Sequence, residues 1–133
     1  MKFIHIADIH LGAEPDAGSS YSAERPEELW NSFERLLDVC EEEQTDLLLI
    51  AGDLFHRQPL RKELKELDYL FSRLTHTQVV LMAGNHDYLK STSYYRNYPW
   101  KGPVHMFLSQ RPSCVEFAEL GICVYGLSYE QRE

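Results

Sequence analysis

A layered α/β fold with a largely parallel sheet is what this sequence predicts, and three observations predict it. Three short apolar runs, at 2–7, 46–53 and 78–84, have the composition of strands. Two longer segments between them carry apolar residues at helical spacing. Each apolar run also ends in a polar cluster of one kind: "DIH", then "GD", then "GNHD". Strands alternating with helices call for parallel crossovers, and in such a sheet the working crevice lies beyond the carboxyl ends of the strands.

Taken in order, "KFIHIA" alternates as a strand does, and the polar "DIHLGAE" and "PDAGSSYSAER" read as a long loop. Between Pro26 and Gln44, Leu29, Trp30, Phe33, Leu36, Leu37 and Cys40 recur at helical spacing, with Pro26 suited to the first turn. "DLLLIAGD" is a continuous apolar run, the pattern of a strand buried on both faces. A second helix is predicted over Leu60 to Leu74 with Leu64, Leu67, Leu70, Phe71 and Leu74 on one side, and "QVVLMAG" is a third buried strand. Pro99, Gly102 and Pro103 close a tyrosine-rich loop before "VHMFL", and "CVEFAELGICVYGL" reads as a hairpin turning around Glu119 to Gly121.

At 133 residues the chain has the length of one domain and room for one core. The histidines and aspartate of "MKFIHIADIH" interrupt any signal-peptide core, and no run reaches membrane-spanning length, so a soluble, intracellular, cytoplasmic protein with no membrane partner is expected. Cys40, Cys114 and Cys123 form no CxxC pair and are expected to be small buried hydrophobes. A formal charge of −8 argues against a protein that grips nucleic acid unaided. Bound divalent cations would offset part of this acidity, whereas Glu41, Glu42 and Glu43 read as a solvated helix end.

The polar clusters carry the chemistry. Asp8 and His10, two residues apart, project to one side if the chain there is extended, and offer oxygen and nitrogen to one cation. Asp53 follows Gly52, which permits a tight turn and leaves a carboxylate able to bridge two ions. Asn85 offers a neutral carbonyl oxygen, and His86 beside it a hydrogen bond to a substrate phosphate or leaving oxygen. Mixed oxygen and imidazole donors suit manganese, iron or zinc better than calcium or magnesium. Singly, each residue reads equally well as a turn residue or loop cap; at three strand ends together they read as one centre. His5, His76 and His105 are expected to be structural. In the tyrosine-rich loop, Lys90, Arg96 and Lys101 alternate with Tyr94, Tyr95, Tyr98 and Trp100, a mixture that can stack bases and contact phosphate or simply pack on its own domain.

The set "DIH", "GDLFHR" and "GNHD", in this order, resembles the calcineurin-like metallophosphoesterase superfamily. Within it, "HIADIHLG", "LLLIAGDLFH" and "GNHD" followed by "VHMF" resemble the bacterial SbcD-type DNA double-strand-break repair exonucleases. The resemblance implies a metallophosphoesterase-type layered sheet with helical crossovers, of which residues 1–133 supply the amino-terminal portion of a nuclease domain and the first part of a two-sheet αββα sandwich. It implies two divalent ions, most plausibly Mn2+, with Asp8 and His10 on the first, Asp53 bridging, and Asn85 on the second. His86 corresponds to the catalytic histidine that stabilises the transition state and assists the leaving group. His56 corresponds to a histidine near the site but outside the metal shell, and Asp87 to a support for the loop or the His86 ring. Lys90, Tyr94, Tyr95 and Arg96 become candidate nucleic-acid contacts, DNA the substrate, and an SMC-like ATPase, SbcC, the partner. The family completes its metal site with a further histidine and a later Gly-His-x-His motif, yet no histidine follows His105 here. A weakly held second ion, poor or absent activity and self-association of a half-covered sheet are therefore expected. The alternatives are a phosphoesterase for another phosphodiester and a catalytically silent self-associating fragment.

Overall fold

The computed structural model describes residues 1–13 and 25–130, so most of the long loop expected after the first strand lies outside the described residues. Four strands, β1 (Phe3–Ile6), β2 (Leu47–Ala51), β3 (Gln78–Met82) and β4 (Val104–Met106), pair in sequential order, every pair parallel. Helix α1 (Arg25–Glu42) connects β1 to β2, and α2 (Arg61–Phe71) connects β2 to β3. The sequence expectation of an α/β layer with helical crossovers is borne out, the helices beginning and ending within a few residues of their predicted bounds.

Sequential strand order with right-handed crossovers puts both helices on one face of the sheet. There Phe33, Leu37 and Cys40 of α1 and Leu64, Leu67 and Phe71 of α2 close over Leu48, Ile50, Val79 and Leu81, all buried in one cluster. The Phe33 and Phe71 rings meet edge to face at 5.9 Å, joining the helices. Each such side chain removed from water contributes about 1.5 to 3 kcal/mol, which is what holds these crossovers down. The start of α2 is fixed by Glu63, whose carboxylate accepts the Leu60 N–H at 2.9 Å and pairs with Arg57 at 3.0 Å.

The other face is covered in part. Strands β5 (Ser113–Phe117) and β6 (Ile122–Gly126) form the predicted antiparallel hairpin, turned at Gly121 with φ 68°, a left-handed conformation that glycine adopts freely. Phe117 of the hairpin packs with Leu47, Val80 and Phe107. Ser128, just beyond β6, ties the layers: its hydroxyl accepts the Ala83 N–H and donates to the Phe107 carbonyl. Among the described residues, nothing covers this face towards β1. Phe3 is 57% exposed, Tyr125 is 74% exposed, and an apolar cavity of about 160 Å3 lies between His5, Leu49, Val80, Met82 and the hairpin residues Val124 and Tyr125.

Two expectations need correction. Cys114 and Cys123 are exposed and only Cys40 is buried, because the two hairpin cysteines fall on the outward phase of β5 and β6. Glu41 is not merely solvated: its carboxylate accepts the Thr75 N–H at 3.0 Å and the Thr75 hydroxyl at 2.7 Å, and these bonds hold its pKa down. His76, expected to be structural, lies beyond the end of α2 and partners Asp46 through Nε2 at 2.7 Å.

Asp46 also accepts the Lys2 N–H at 2.9 Å, and that backbone bond, followed by the His76 contact, depresses its pKa. A carboxyl depressed in the folded state stabilises it above the unfolded pKa, about 3.9, and loses that contribution as pH falls through the folded value. Asp46→Asn is therefore expected to lower the melting temperature at neutral pH, with the gap to wild type closing as pH is lowered below about 4. Melting curves across this range check it; a gap that persists unchanged in acid contradicts the assignment.

Candidate metal centre

Beyond their last paired residues, β1 and β2 continue side by side into the crevice. Asp8 N–H reaches the Gly52 carbonyl at 3.1 Å, His10 N–H the Asp53 carbonyl at 2.9 Å, Leu11 N–H the Leu54 carbonyl at 2.7 Å, and His56 N–H returns to Leu11 at 2.9 Å. This tandem run requires unusual backbone. Asp8 (φ 57°), His10 (φ 55°) and Asp53 (φ 52°) all adopt left-handed conformations, as does Gly52 (φ 89°). Aspartate and histidine tolerate this region better than most residues, but each still costs on the order of 1 kcal/mol or more. Strain of this kind persists where surrounding structure over-determines it, and it concentrates at functional sites. Among described non-glycine residues the only other case is Gln44, at the end of α1.

The consequence is convergence. Ligand atoms of Asp8, His10 and Asp53 lie within 4.8 Å of one another, as the sequence led us to expect, but by a different route. Asp8 and His10 do not share a side through extended backbone; each is turned inward by its own left-handed twist. Asp53 is the best-buried member, at 7% exposure, with Oδ2 3.9 Å from His10 Nε2 and Oδ1 accepting the His86 N–H at 2.9 Å.

Asn85 faces the same carboxylate. Its amide oxygen is placed beside the carboxylate oxygens, an arrangement stable only with a cation shared among them. Turned over, its nitrogen would donate to Asp53 Oδ2 at 2.8 Å and to Oδ1 at 3.2 Å. The donor set thus fits divalent metal ions: Asp8, His10 and Asp53 would hold one and Asp53 with Asn85 would contribute to a second. Gly84 is needed for this approach, since a Cβ there would collide with Asp53 Oδ1 and lie 2.6 Å from the Asp53 nitrogen.

His86 and Asp87 have separate duties. The His86 ring places Nδ1 3.1 Å from the His56 carbonyl, which leaves Nε2 directed away from that contact. Asp87 is fully buried and does not hold that ring. Its Oδ1 accepts the Gly84 N–H at 2.8 Å, and its Oδ2 accepts the Phe55 N–H at 3.2 Å and the Tyr95 hydroxyl at 2.8 Å. One carboxylate thereby clamps the third strand-end loop to the second. Burial pushes the Asp87 carboxyl above its usual range against the pull of those bonds, and burial likewise pushes the Tyr95 phenol well above 10.

Tyr95 must accordingly be removed from the candidate nucleic-acid contacts: it is 1% exposed and belongs to the core. Arg96 is half-buried and engaged, Nε donating to the Lys90 carbonyl at 2.9 Å and Nη2 to the Leu89 carbonyl at 3.0 Å. Tyr98 and Trp100 pack against each other at 4.8 Å, with the Tyr98 hydroxyl on Asp68 at 3.1 Å. Lys90 and Tyr94 remain exposed. His105 is structural, Nε2 meeting Gln78 at 2.9 Å and the ring edge-on to Phe117. The Asp87–Tyr95 pair escaped sequence reading, the only signal being a carboxylate eight residues before an aromatic in a loop.

Comparison with known proteins agrees with this geometry. Residues 1–132 match the calcineurin-like phosphoesterase family. The chain is 32% identical over 145 aligned residues, 99% of its length, to the uncharacterized metallophosphoesterase YhaO of Bacillus subtilis. It is 37% identical over 90 residues to the DNA double-strand break repair protein Mre11 of Aeropyrum pernix and 38% identical over 91 residues to that of Archaeoglobus fulgidus, 65% of this chain in each case. The chain spans 34%, 21% and 19% of the lengths of these three relatives. With ligand-bearing strand ends on a parallel sheet and a family match along nearly its whole length, the chain belongs to the calcineurin-like phosphoesterases.

Proposed function

We propose that residues 1–133 are the amino-terminal portion of a metal-dependent phosphodiesterase domain acting on DNA in double-strand-break repair, in the manner of the SbcD-type exonucleases. The observation that carries this reading is the convergence of Asp8, His10 and Asp53 at two strained strand ends, with Asn85 arriving from the third. Two divalent ions, Mn2+ by the resemblance to the SbcD-type enzymes, would supply charge neutralisation on the phosphate and activation of water. The chain's own residues do the rest. Asp53 positions His86 through its backbone N–H, and the His56 carbonyl holds His86 Nδ1 as a donor, so that Nε2 is left for the substrate and, when the ring is imidazolium, can hand its proton to a leaving oxygen. Lys90 and Tyr94 are the remaining exposed candidates for contact with the nucleic acid. An SMC-like ATPase of the SbcC type is the proposed partner, the cytoplasm the proposed location, and the open apolar face beside β1 the proposed seat of self-association. No described helix is long and apolar enough to cross a membrane.

A second reading, hydrolysis of a different phosphodiester, is favoured by the breadth of the YhaO match and by the packing of Tyr95, Tyr98 and Trp100 into the domain. Nucleotide release from linear duplex DNA, measured beside hydrolysis of a small phosphodiester, separates the two. The 133-residue chain is expected to turn over slowly or not at all, since among the described residues the second ion has only Asp53 and Asn85. A form extended through the rest of the domain should be active with manganese and lose about 100-fold or more in His86→Ala. Hydrolysis of the small ester with none of DNA would overturn the DNA reading, and full activity in His86→Ala would overturn the role given to His86.

A further inference from the structure

A second cluster of metal donors adjoins the first and shares His10 with it. The rings of His10, His56 and His86 come together with centroids 4.9 to 5.2 Å apart, and one ligand nitrogen from each lies within 4.8 Å of the others. His10 divides its two nitrogens between the clusters: Nε2 is turned to Asp53 at 3.9 Å, while Nδ1 is 3.0 Å from His56 Nδ1. Since His86 spends Nδ1 on the His56 carbonyl, its Nε2 is the nitrogen left to complete the trio.

We propose that His10, His56 and His86 form a distinct three-imidazole site selective for zinc or a similarly imidazole-seeking ion, and that its occupation blocks the neighbouring phosphodiesterase centre. Zinc–nitrogen bonds of about 2.0 to 2.1 Å at a tetrahedral angle place two ligand nitrogens about 3.3 Å apart, so zinc would replace the proton of the 3.0 Å His10–His56 hydrogen bond with a small opening, and the His86 nitrogen, within 4.8 Å, would close toward them. Three neutral imidazoles with a fourth position open suit zinc and copper and not manganese, whereas the cluster of two aspartates, one amide and one imidazole accepts manganese as well. His56 is exposed and His10 and His86 are partly so, which gives an ion a path from solvent. The blocking follows from shared parts: zinc on His86 Nε2 removes the nitrogen that would serve the leaving oxygen, and zinc on His10 Nδ1 fixes the ring that the carboxylate cluster also uses. The zinc site itself does not depend on the phosphodiesterase reading, because it rests on the three rings alone.

The test is calorimetry of the 133-residue chain with Zn2+ and, separately, with Mn2+, on wild type, His56→Ala, His56→Gln and Asp53→Ala, each first shown to be folded by circular dichroism. Zinc affinity is expected to fall at least tenfold in both His56 variants and clearly less in Asp53→Ala, with manganese following the opposite pattern. Zinc affinity unchanged in the His56 variants, or lowered equally by His56→Ala and Asp53→Ala, would mean that zinc occupies the carboxylate cluster and would overturn the proposal. Loss of manganese binding alone counts against the phosphodiesterase reading and leaves the zinc result intact. In the extended form, zinc added at constant manganese should inhibit wild type more strongly than His56→Gln; equal inhibition would overturn the blocking role.

Discussion

Asp53→Ala is expected to abolish measurable manganese binding to this chain, a loss of more than about 100-fold in affinity, and to silence any form that carries the complete domain. Support around a metal ligand is itself worth 10- to 100-fold in affinity, and Asp53 is the one carboxylate that faces every other member of the cluster. Its Oδ2 looks toward His10 and Asn85, and its Oδ1 holds the His86 backbone in place. Removal therefore takes one ligand from each ion and releases the residue that would assist the leaving oxygen, so the losses compound rather than add. Asp53→Asn separates the parts, because an amide oxygen keeps the His86 N–H while removing the charge. Calorimetry with Mn2+ should show the isotherm lost in the alanine variant and weakened in the asparagine variant. Superimposable isotherms for wild type and Asp53→Ala would remove Asp53 from the centre.

Asp87→Ala should produce the largest loss of stability of any single change near the site, about 3 to 4 kcal/mol. The carboxylate satisfies two backbone N–H groups and a buried phenol, and each buried donor left without an acceptor costs about 1 to 3 kcal/mol before water enters to soften the loss. For a domain of this size each kcal/mol is worth several degrees, so the melting temperature should fall by about 10 °C or more. Tyr95→Phe removes one of the three bonds and should cost about 1 kcal/mol. Thermal melts of the two variants decide the point. Equal, small shifts would mean that the clamp between the second and third strand-end loops bears little load.

How far the sequence reaches follows from what periodicity encodes. Leu29, Phe33, Leu37 and Cys40, or Leu64, Leu67 and Phe71, announce a helix face because burial repeats with the helical turn. "VVLM" announces a buried strand for the same reason, and the hairpin is readable from alternation around Gly121. The polar strand ends point to a crevice because topology forces all parallel carboxyl ends to one side of the sheet. Backbone handedness has no such signature. Asp8, His10 and Asp53 adopt left-handed conformations that no local pattern of apolar residues reports, whereas the reading of "DIH" from sequence assumed extended backbone. Tertiary hydrogen bonding is equally silent: nothing in "YYRNYPW" distinguishes Tyr95, drawn into the core by Asp87, from Tyr94, left in solvent. His10 and His56 are 46 positions apart, and their 3.0 Å approach is a product of the tandem run beyond β1 and β2, not of either motif alone.

Whether three strand ends build one divalent-metal centre can be read from paramagnetic broadening of amide resonances as Mn2+ is titrated into isotopically labelled chain. The amides of Asp8, His10, Asp53, Asn85 and His86 are expected to broaden first and together, with magnesium in excess restoring them only partly. Broadening that begins on the acidic end of α1 at Glu41 to Glu43, or that spreads evenly with no focus, would contradict it.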